Sequence, residues 1–300
     1  MRPDALAGSG PGHETEAGAS REPWRRSWLY RARGETPVLL WIVAIHALAG
    51  VGLVLLPLPP VAVWPIAVAL LWIGGMGTTV AYHRALAHRA LVLHPAVESL
   101  LVGAAVFNGS GNPLTWVASH RHHHAHSDTE RDISSPRQGG FWWSHLRWLW
   151  QADQPPPEKH CPDLLRRGFR RWGRLQAPIL LLSLCAGLAA WPWVGLEEAL
   201  AACLWLGPVR LVFALHVQCT VNSLCHLGEV SPEHGSSRNL AWLGLLHMGQ
   251  GENWHENHHA MPANPRLGRA RWQIDSGWWL IVALERLGLA RDVRRPRATA

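Results

Sequence analysis

The chain has 300 residues, 48% of them hydrophobic and only 16% charged, whereas an ordinary soluble domain carries about 25% charged residues. That balance excludes a conventional soluble globule, and 19 Trp in one chain suit a protein that sits at membrane–water interfaces, where an indole can bury its ring and keep its N–H wet. The formal charge of +7 comes mostly from Arg flanking apolar runs, with no nucleic-acid-binding motif nearby, so anionic lipid headgroups or an acidic partner, and not nucleic acid, are what it faces.

Residues 1 to 20 are rich in Gly, Ala, Ser and Glu and lack the apolar core of a signal peptide, which reads as a disordered tail; residues 1–36 as a whole read as disordered or juxtamembrane. The first apolar run, Val38 to Leu56, is long enough to cross a bilayer as a helix. The break Pro57–Pro60 turns the chain, and a second run goes from Val61 to Ala81. A third run covers Ala177 to Val194 and a fourth Ala199 to Val221, with Pro192, Gly195, Glu197 and Glu198 marking the short turn between them. The predicted fold is therefore an all-α integral membrane protein. Its four spans form two hairpins, and a helical cap built from residues 83–175 and the C-terminal segment joins them in one domain from 37 to 300. Two shorter apolar stretches, Val97–Phe107 and Gly277–Leu289, cannot cross; they fit helices at the membrane surface or against the cap.

Charge sets the orientation. Arg21, Arg25, Arg26, Arg31 and Arg33 precede the first span, Arg166, Arg167, Arg170, Arg171 and Arg174 precede the third, and Arg291, Arg294, Arg295 and Arg297 end the chain, while neither short turn carries Lys or Arg. By the positive-inside rule the termini and the cap are cytoplasmic. The five cysteines, Cys161, Cys185, Cys203, Cys219 and Cys225, show no C-x-x-C pair or zinc-ribbon spacing and read as free thiols.

The histidines cluster at the cap ends of the spans. His83 and His88 close the second span, His120, His123 and His124 form an H-x-x-H-H set, and so do His255, His258 and His259. Positions i, i+3 and i+4 share a helix face, so each set aims three imidazoles at one region. His83 and His88, five apart, lie about 140° apart around an α-helix, so their rings approach a metal from different angles or the second lies past the helix end. Eight imidazoles exceed the usual four ligands of one zinc ion, which points to two ions; ligand type alone leaves iron, copper, zinc and nickel open. His122 and His126 are expected to face away. His13, His46, His94, His145, His160, His216, His234 and His247 stand outside the clusters.

The segments YHRALAH, NPLTWVASHRHHHAHSDTERD followed by GFWWSH, VNSLCH, and GENWHENHH resemble the membrane fatty acid desaturases of the stearoyl-CoA and acyl-lipid Δ9 type, over nearly everything from residue 37 onward. The resemblance implies a ninth ligand, His226, and a water held at one metal by Asn222. It implies one iron on His83, His88, His120, His124 and His258 and the other on His123, His226, His255 and His259, with Asp128 and Asp132 as partners that orient the rings. It further implies O₂-dependent insertion of a cis double bond into an acyl chain carried on CoA, a lipid or a carrier protein. Zinc could replace the two Fe²⁺ in recombinant material. This chain has no iron–sulfur, haem or dinucleotide motif, so the electrons are expected from a separate ferredoxin or cytochrome b5-like donor with its reductase.

An apolar tunnel is expected, with Trp116, Trp254, Gln218 and Cys219 as candidate lining. Three positions depart from the family's pattern. Asp132-Ile133-Ser134 replaces Asp-Pro-His, Gln218-Cys219 replaces Thr-Trp, and Gly228-Glu-Val-Ser-Pro replaces Gly-x-Arg-Pro. These changes bear on chain length, head group and bond position rather than on the metals. Acyl hydroxylation or acetylenic bond formation on the same scaffold is the nearest alternative, and a membrane metal transporter without catalysis is the alternative of another class.

Overall fold

The computed structural model describes residues 22–295. The tail expected over 1–20, with His13, and the flanking Arg21 and Arg297 lie outside the described residues. Within them the protein is helical, with four helices long and apolar enough to cross a membrane: α1 (Thr36–Leu55), α2 (Val63–Ala87), α5 (Arg170–Val194) and α6 (Leu196–Leu224). Between the second and third lie α3 (Pro95–Phe107) and α4 (Pro113–His126), and after the fourth come α7 (His255–Ala260) and α8 (Ser276–Arg286). Among the described residues the only sheet is a two-stranded antiparallel ribbon, β1 (Val92–Leu93) against β2 (Ala290–Arg291), which brings the end of the chain back beside the end of α2.

The long helices follow from composition. Helix α1 is apolar all round, burying only the seam Ile42, Ile45 and Ala49 and exposing Leu40, Val43, Val51, Val54 and Leu55, which is what a helix solvated by lipid does. Gly52 lets α1 approach α6, since a Cβ there would meet Leu204 Cδ1 at 2.4 Å. Each helix matches an expected span, but three reach further: α2 continues from Ala81 to Ala87, α5 starts at Arg170 instead of Ala177, and α6 extends to Leu224. Hydropathy stops at the first polar residues, whereas the helices continue into the cap.

The tail segment 22–35 is tied down. The Trp24 and Trp143 rings meet edge to face at 5.7 Å, Ala32 N–H donates to Trp150 O at 2.9 Å, and the Gln151 amide reaches Ser27 O at 2.7 Å. Helix α3 starts on Pro95 with His94 accepting Ala96 N–H and packs against α2. That contact is close because of Gly77, where a Cβ would stand 2.3 Å from Leu101 O. Arg210, buried in α6, donates to Phe107 O at the C-terminus of α3 and to Asn108 Oδ1 and Ser183 Oγ, so its charge caps the negative end of that helix.

Three histidines that stood outside any sequence cluster also cooperate. His46 on α1 meets His216 on α6 (Nε2 to Nε2, 3.0 Å), His216 meets His145 of the cap (2.9 Å), and His145 meets Ser223 Oγ (2.8 Å). The chain of contacts joins two spans to the cap.

Candidate metal centre

Four separate stretches of chain deliver the clustered histidines. Helix α2 is α-helical over Val63–Met76 and then π-helical over Gly77–Ala87, and His88 N–H closes the last turn on His83 O at 3.0 Å. An i→i+5 ladder is a wider helix that places residues five apart on one face. The His83 and His88 rings therefore stand 4.9 Å apart rather than diverging as on an α-helix. Asn112 caps α4 through Leu114 N–H, and α4 carries His120, His123 and His124 on one side. His226 follows the end of α6, and α7 presents His255, His258 and His259.

Their ring nitrogens converge in two groups, His83, His88, His120, His124 and His258 in one and His123, His226, His255 and His259 in the other, with ligand atoms inside each group no more than 4.8 Å apart. The facing atoms are Nε2. His258 Nε2 lies 3.0 Å from His83 Nε2 and 2.9 Å from His124 Nε2; His88 and His120 meet at 2.8 Å; His255 Nε2 lies 2.9 Å from His226 and 3.1 Å from His259. His83 Nδ1 lies 2.9 Å from the Glu252 carboxylate and His123 Nδ1 lies 2.9 Å from Asp132 Oδ2; because a carboxylate only accepts, both rings carry their proton on Nδ1 and turn bare Nε2 lone pairs inward. Inward-facing nitrogens crowded in this way could hold a cation between them. An ion about 2.1 Å from each nitrogen would set neighbouring ligands roughly 3 Å apart, so the spacing fits one metal per group.

The electrostatics agree. Burial, reinforced by the neighbouring rings, pushes His88, His120, His124, His255, His258 and His259 well below the ordinary imidazole value, so they are neutral and free to ligate near pH 7. Burial also opposes a charge on His123, but the adjacent Asp132 more than offsets it and raises that ring.

Asp132 is itself buried and held by the backbone N–H and hydroxyl of Ser134, both at 3.1 Å. The departure Ile133-Ser134 thus supplies a clamp for this carboxylate. Burial resists ionisation of Asp128, but the neighbouring His226 ring, together with Ser236 N–H at 2.7 Å and Ser236 Oγ at 2.6 Å, keeps its carboxyl far below the usual range. It lies 3.8 Å from His226 Nδ1, an ion-pair rather than a hydrogen-bond distance. His122 turns away, its Nε2–H donating to Arg131 O at 2.8 Å, and its ring lies 4.7 Å from that of His126; neither belongs to a group.

Glu252 was not singled out by sequence, although it stands three residues before His255 in Gly251-Glu-Asn-Trp-His. Thr79 donates to it and Arg84 Nη2 lies 3.9 Å away; burial resists its ionisation, but His83 and Arg84 carry its pKa down to about 2. Arg84 is fixed in turn by Asp275 at 2.9 Å and by Gln250 O and Pro265 O, both at 2.8 Å. Partners of this kind typically change metal affinity by about 10–100-fold. Glu252→Ala should therefore lower the affinity of the five-histidine group by a factor in that range, and His160→Ala should leave it unchanged, as read by metal titration of the purified protein. Equal affinities in the two variants would remove Glu252 from the site.

A cavity of about 660 Å³ runs along this centre. His83, His120, His123 and His255 form part of its wall, and it continues between the spans past Ile45, Leu71 and Phe213. Trp116 lines it, stacked on His120 at 4.9 Å, and so do Gln218, Cys219 and Asn222. Trp254 does not. Its indole N–H donates to Ile274 O at 2.8 Å and its ring meets Trp272 edge on, so it packs the cap behind α7 in place of lining the cavity.

The family model for fatty acid desaturases matches residues 59–283. The chain is 37% identical over 230 residues to Delta-9 acyl-lipid desaturase 2 of Arabidopsis thaliana, covering 75% of this chain and 72% of that protein. It is 36% identical over 234 residues to the sn-1 stearoyl-lipid 9-desaturase of Synechocystis sp. (76% and 70%). An acyl-CoA 5-desaturase of Anemone leveillei is 34% identical over 236 residues (74% and 68%), so relatives at nearly equal distance are named for different carriers and bond positions.

Proposed function

Because the chain belongs to the fatty acid desaturase family, and is accordingly an oxidoreductase, we propose that it inserts a cis double bond of Δ9 type into a saturated acyl chain in an O₂-dependent reaction. The observation that carries this reading is the pair of histidine groups opening onto one apolar cavity. Two Fe²⁺ ions would be held there, one by His83, His88, His120, His124 and His258 and one by His123, His226, His255 and His259, with Asn222 placing a water. When bound, such a pair supplies the oxygen activation that side-chain acids and bases cannot.

The protein's own residues do the rest. The cavity wall orients the chain, and Trp116, stacked on His120, fixes where it passes the metals. Cys219 and Gln218 line the same cavity, so the departures there bear on which carbon pair is presented. Glu252, Asp132 and Asp128 hold their imidazoles in position. The carrier is CoA, a lipid or an acyl-carrier protein, and two electrons come from a ferredoxin or cytochrome b5-like protein with its reductase. The test is expression of the chain in a desaturase-deficient host. A new monounsaturated fatty acid should appear in host lipids, with the bond located after derivatisation, and an unaltered profile with the protein inserted and metal-loaded would refute the reading.

The arginine distribution supports a cytoplasmic cap, cytoplasmic termini and spans arranged as two hairpins in a desaturase domain over 37–300. Single-cysteine probes in a cysteine-free background should be labelled from outside only near Pro59 and Glu197 and from the cytoplasm only near Gln138 and Arg294. Labelling of Gln138 from outside would invert the arrangement.

A further inference from the structure

The outer face of α4 carries imidazoles that the metal centre does not use. His120, His123 and His124 belong to the two converging groups, whereas His122 and His126, one helical turn apart, point away with their rings at 4.7 Å. His160 ends the short turn Pro157–His160, and its ring meets that of His122 at 5.1 Å. Ring pairs inside the metal centre stand at similar separations, 4.9 Å for His83 and His88 and 4.6 Å for His120 and His124.

Each of the three outer rings has a nitrogen to spare. His122 Nε2 lies 2.8 Å from Arg131 O; a carbonyl only accepts, so the proton sits on Nε2 and Nδ1 keeps its lone pair. That Nδ1 is buried without a hydrogen-bond partner, which is uncommon for a buried polar atom. The His126 and His160 rings are partly exposed and make no hydrogen bond among the described residues, so both are free to turn. The backbone under His160 is already fixed to α4, because Arg121 donates to His160 O at 2.9 Å and pairs with Asp163 at 2.7 Å. The three rings adjoin in pairs around His122, and their nitrogens are not gathered to one point as those of the centre are.

We propose that His122, His126 and His160 form a third metal site, on the surface of the cap, which takes one divalent transition ion when the His126 and His160 rings rotate toward His122 Nδ1. The class of ion follows from the donors. Imidazoles suit zinc, copper or nickel rather than magnesium or calcium, and Fe²⁺ ranks below all three for such ligands. His126 is the last residue of α4, where the negative end of the helix dipole favours a cation, while the charges of Arg131 and Lys159 reach His126 and oppose one. The ion is therefore held more loosely than those of the buried centre and exchanges with solvent. None of the three residues lines the cavity, so the site does not rest on the desaturase reading, and emptying it should leave double-bond formation and the five-histidine group as they are.

The experiment equilibrates the full-length, zinc-loaded protein in lipid nanodiscs with stepped concentrations of buffered free Zn²⁺, and bound zinc is counted by elemental analysis. The parent should take up one ion beyond those it holds tightly, and a weak chelator should remove that ion alone. His126→Ala and His160→Ala should each weaken the uptake by about a hundredfold or more, since even a residue that only orients a ligand changes metal affinity by about 10–100-fold. The double variant should hold the tight ions only, and His94→Ala, an exposed histidine elsewhere on the cap, should bind as the parent does. The tightly held zinc and the thermal midpoint show that each variant is folded; if the double alanine variant loses either, His126→Gln with His160→Gln is read in its place. Bound zinc that never rises above the tight ions, or an extra ion that persists in the double variant, would overturn the inference. An extra ion lost equally in His94→Ala would overturn it too, as an adventitious ion only.

Discussion

Replacing His258 by Ala should abolish double-bond formation while leaving the protein folded and inserted. His258 is buried and its Nε2 faces two other ring nitrogens of its group, His83 at 3.0 Å and His124 at 2.9 Å, so its loss opens the middle of the five-histidine set. His124→Ala removes a neighbouring corner of the same set, and no histidine of the other group can substitute, since those rings converge on a separate point. Losing a residue that only orients a ligand costs about 10–100-fold, so losing a ligand should leave activity below roughly a hundredth of the parent's. His160→Ala is the control: that ring contacts His122 on the outer side of α4, and its variant should keep most of the activity. Fatty acid analysis of host lipids reads the result. Undiminished unsaturation in the His124 and His258 variants would mean that the groups are not catalytic, and a binding or transport role would then move ahead.

Purified protein should contain two metal ions per chain, iron when active and zinc where recombinant growth favours the tighter-binding ion. Ions that bind only the folded state stabilise it by mass action, about 2.7 kcal/mol for each site at a free concentration 100 times its dissociation constant. Chelation should therefore lower the thermal midpoint markedly. The metal-free protein should also lose stability as pH falls below the ordinary imidazole value. The six clustered rings held well below that value refuse protons that the unfolded chain accepts, so the unfolded state binds more protons and stability rises with pH across that window. Elemental analysis together with thermal unfolding at pH 7.5 and 5.5 checks both points. One ion or none in folded protein, or a midpoint indifferent to chelator, would contradict two nearly closed ligand sets.

The four membrane-capable helices were legible in the sequence because lipid solvation is a property of each segment by itself: a run such as Val38–Leu56 needs no partner to be too apolar for water. The clustered histidines were legible for a related reason, since i, i+3 and i+4 spacing commits three rings to one face wherever the helix lies. The helix ends were not. Tyr82, His83 and Arg84 end an apolar run in sequence, yet all are buried and the helix continues through them, because the cap supplies the partners their side chains need.

Tertiary structure decided what depends on distant segments meeting. The π-helical stretch that brings His83 and His88, five apart, onto one face begins at Gly77, where α2 lies close against α3, and the spacing alone does not distinguish it from an α-helix. Glu252 becomes a partner of His83 across 169 positions of chain, and nothing local distinguishes it from a surface glutamate. Trp254 shares a motif with the ligands but finds its hydrogen bond at Ile274 and so faces away from the cavity. His46 and His216 meet across 170 positions because α1 lies against α6. Segment hydropathy and ligand spacing act along the chain and can be read there, whereas register between helices, cavity lining and carboxylate–histidine pairing arise only when the chain has closed on itself.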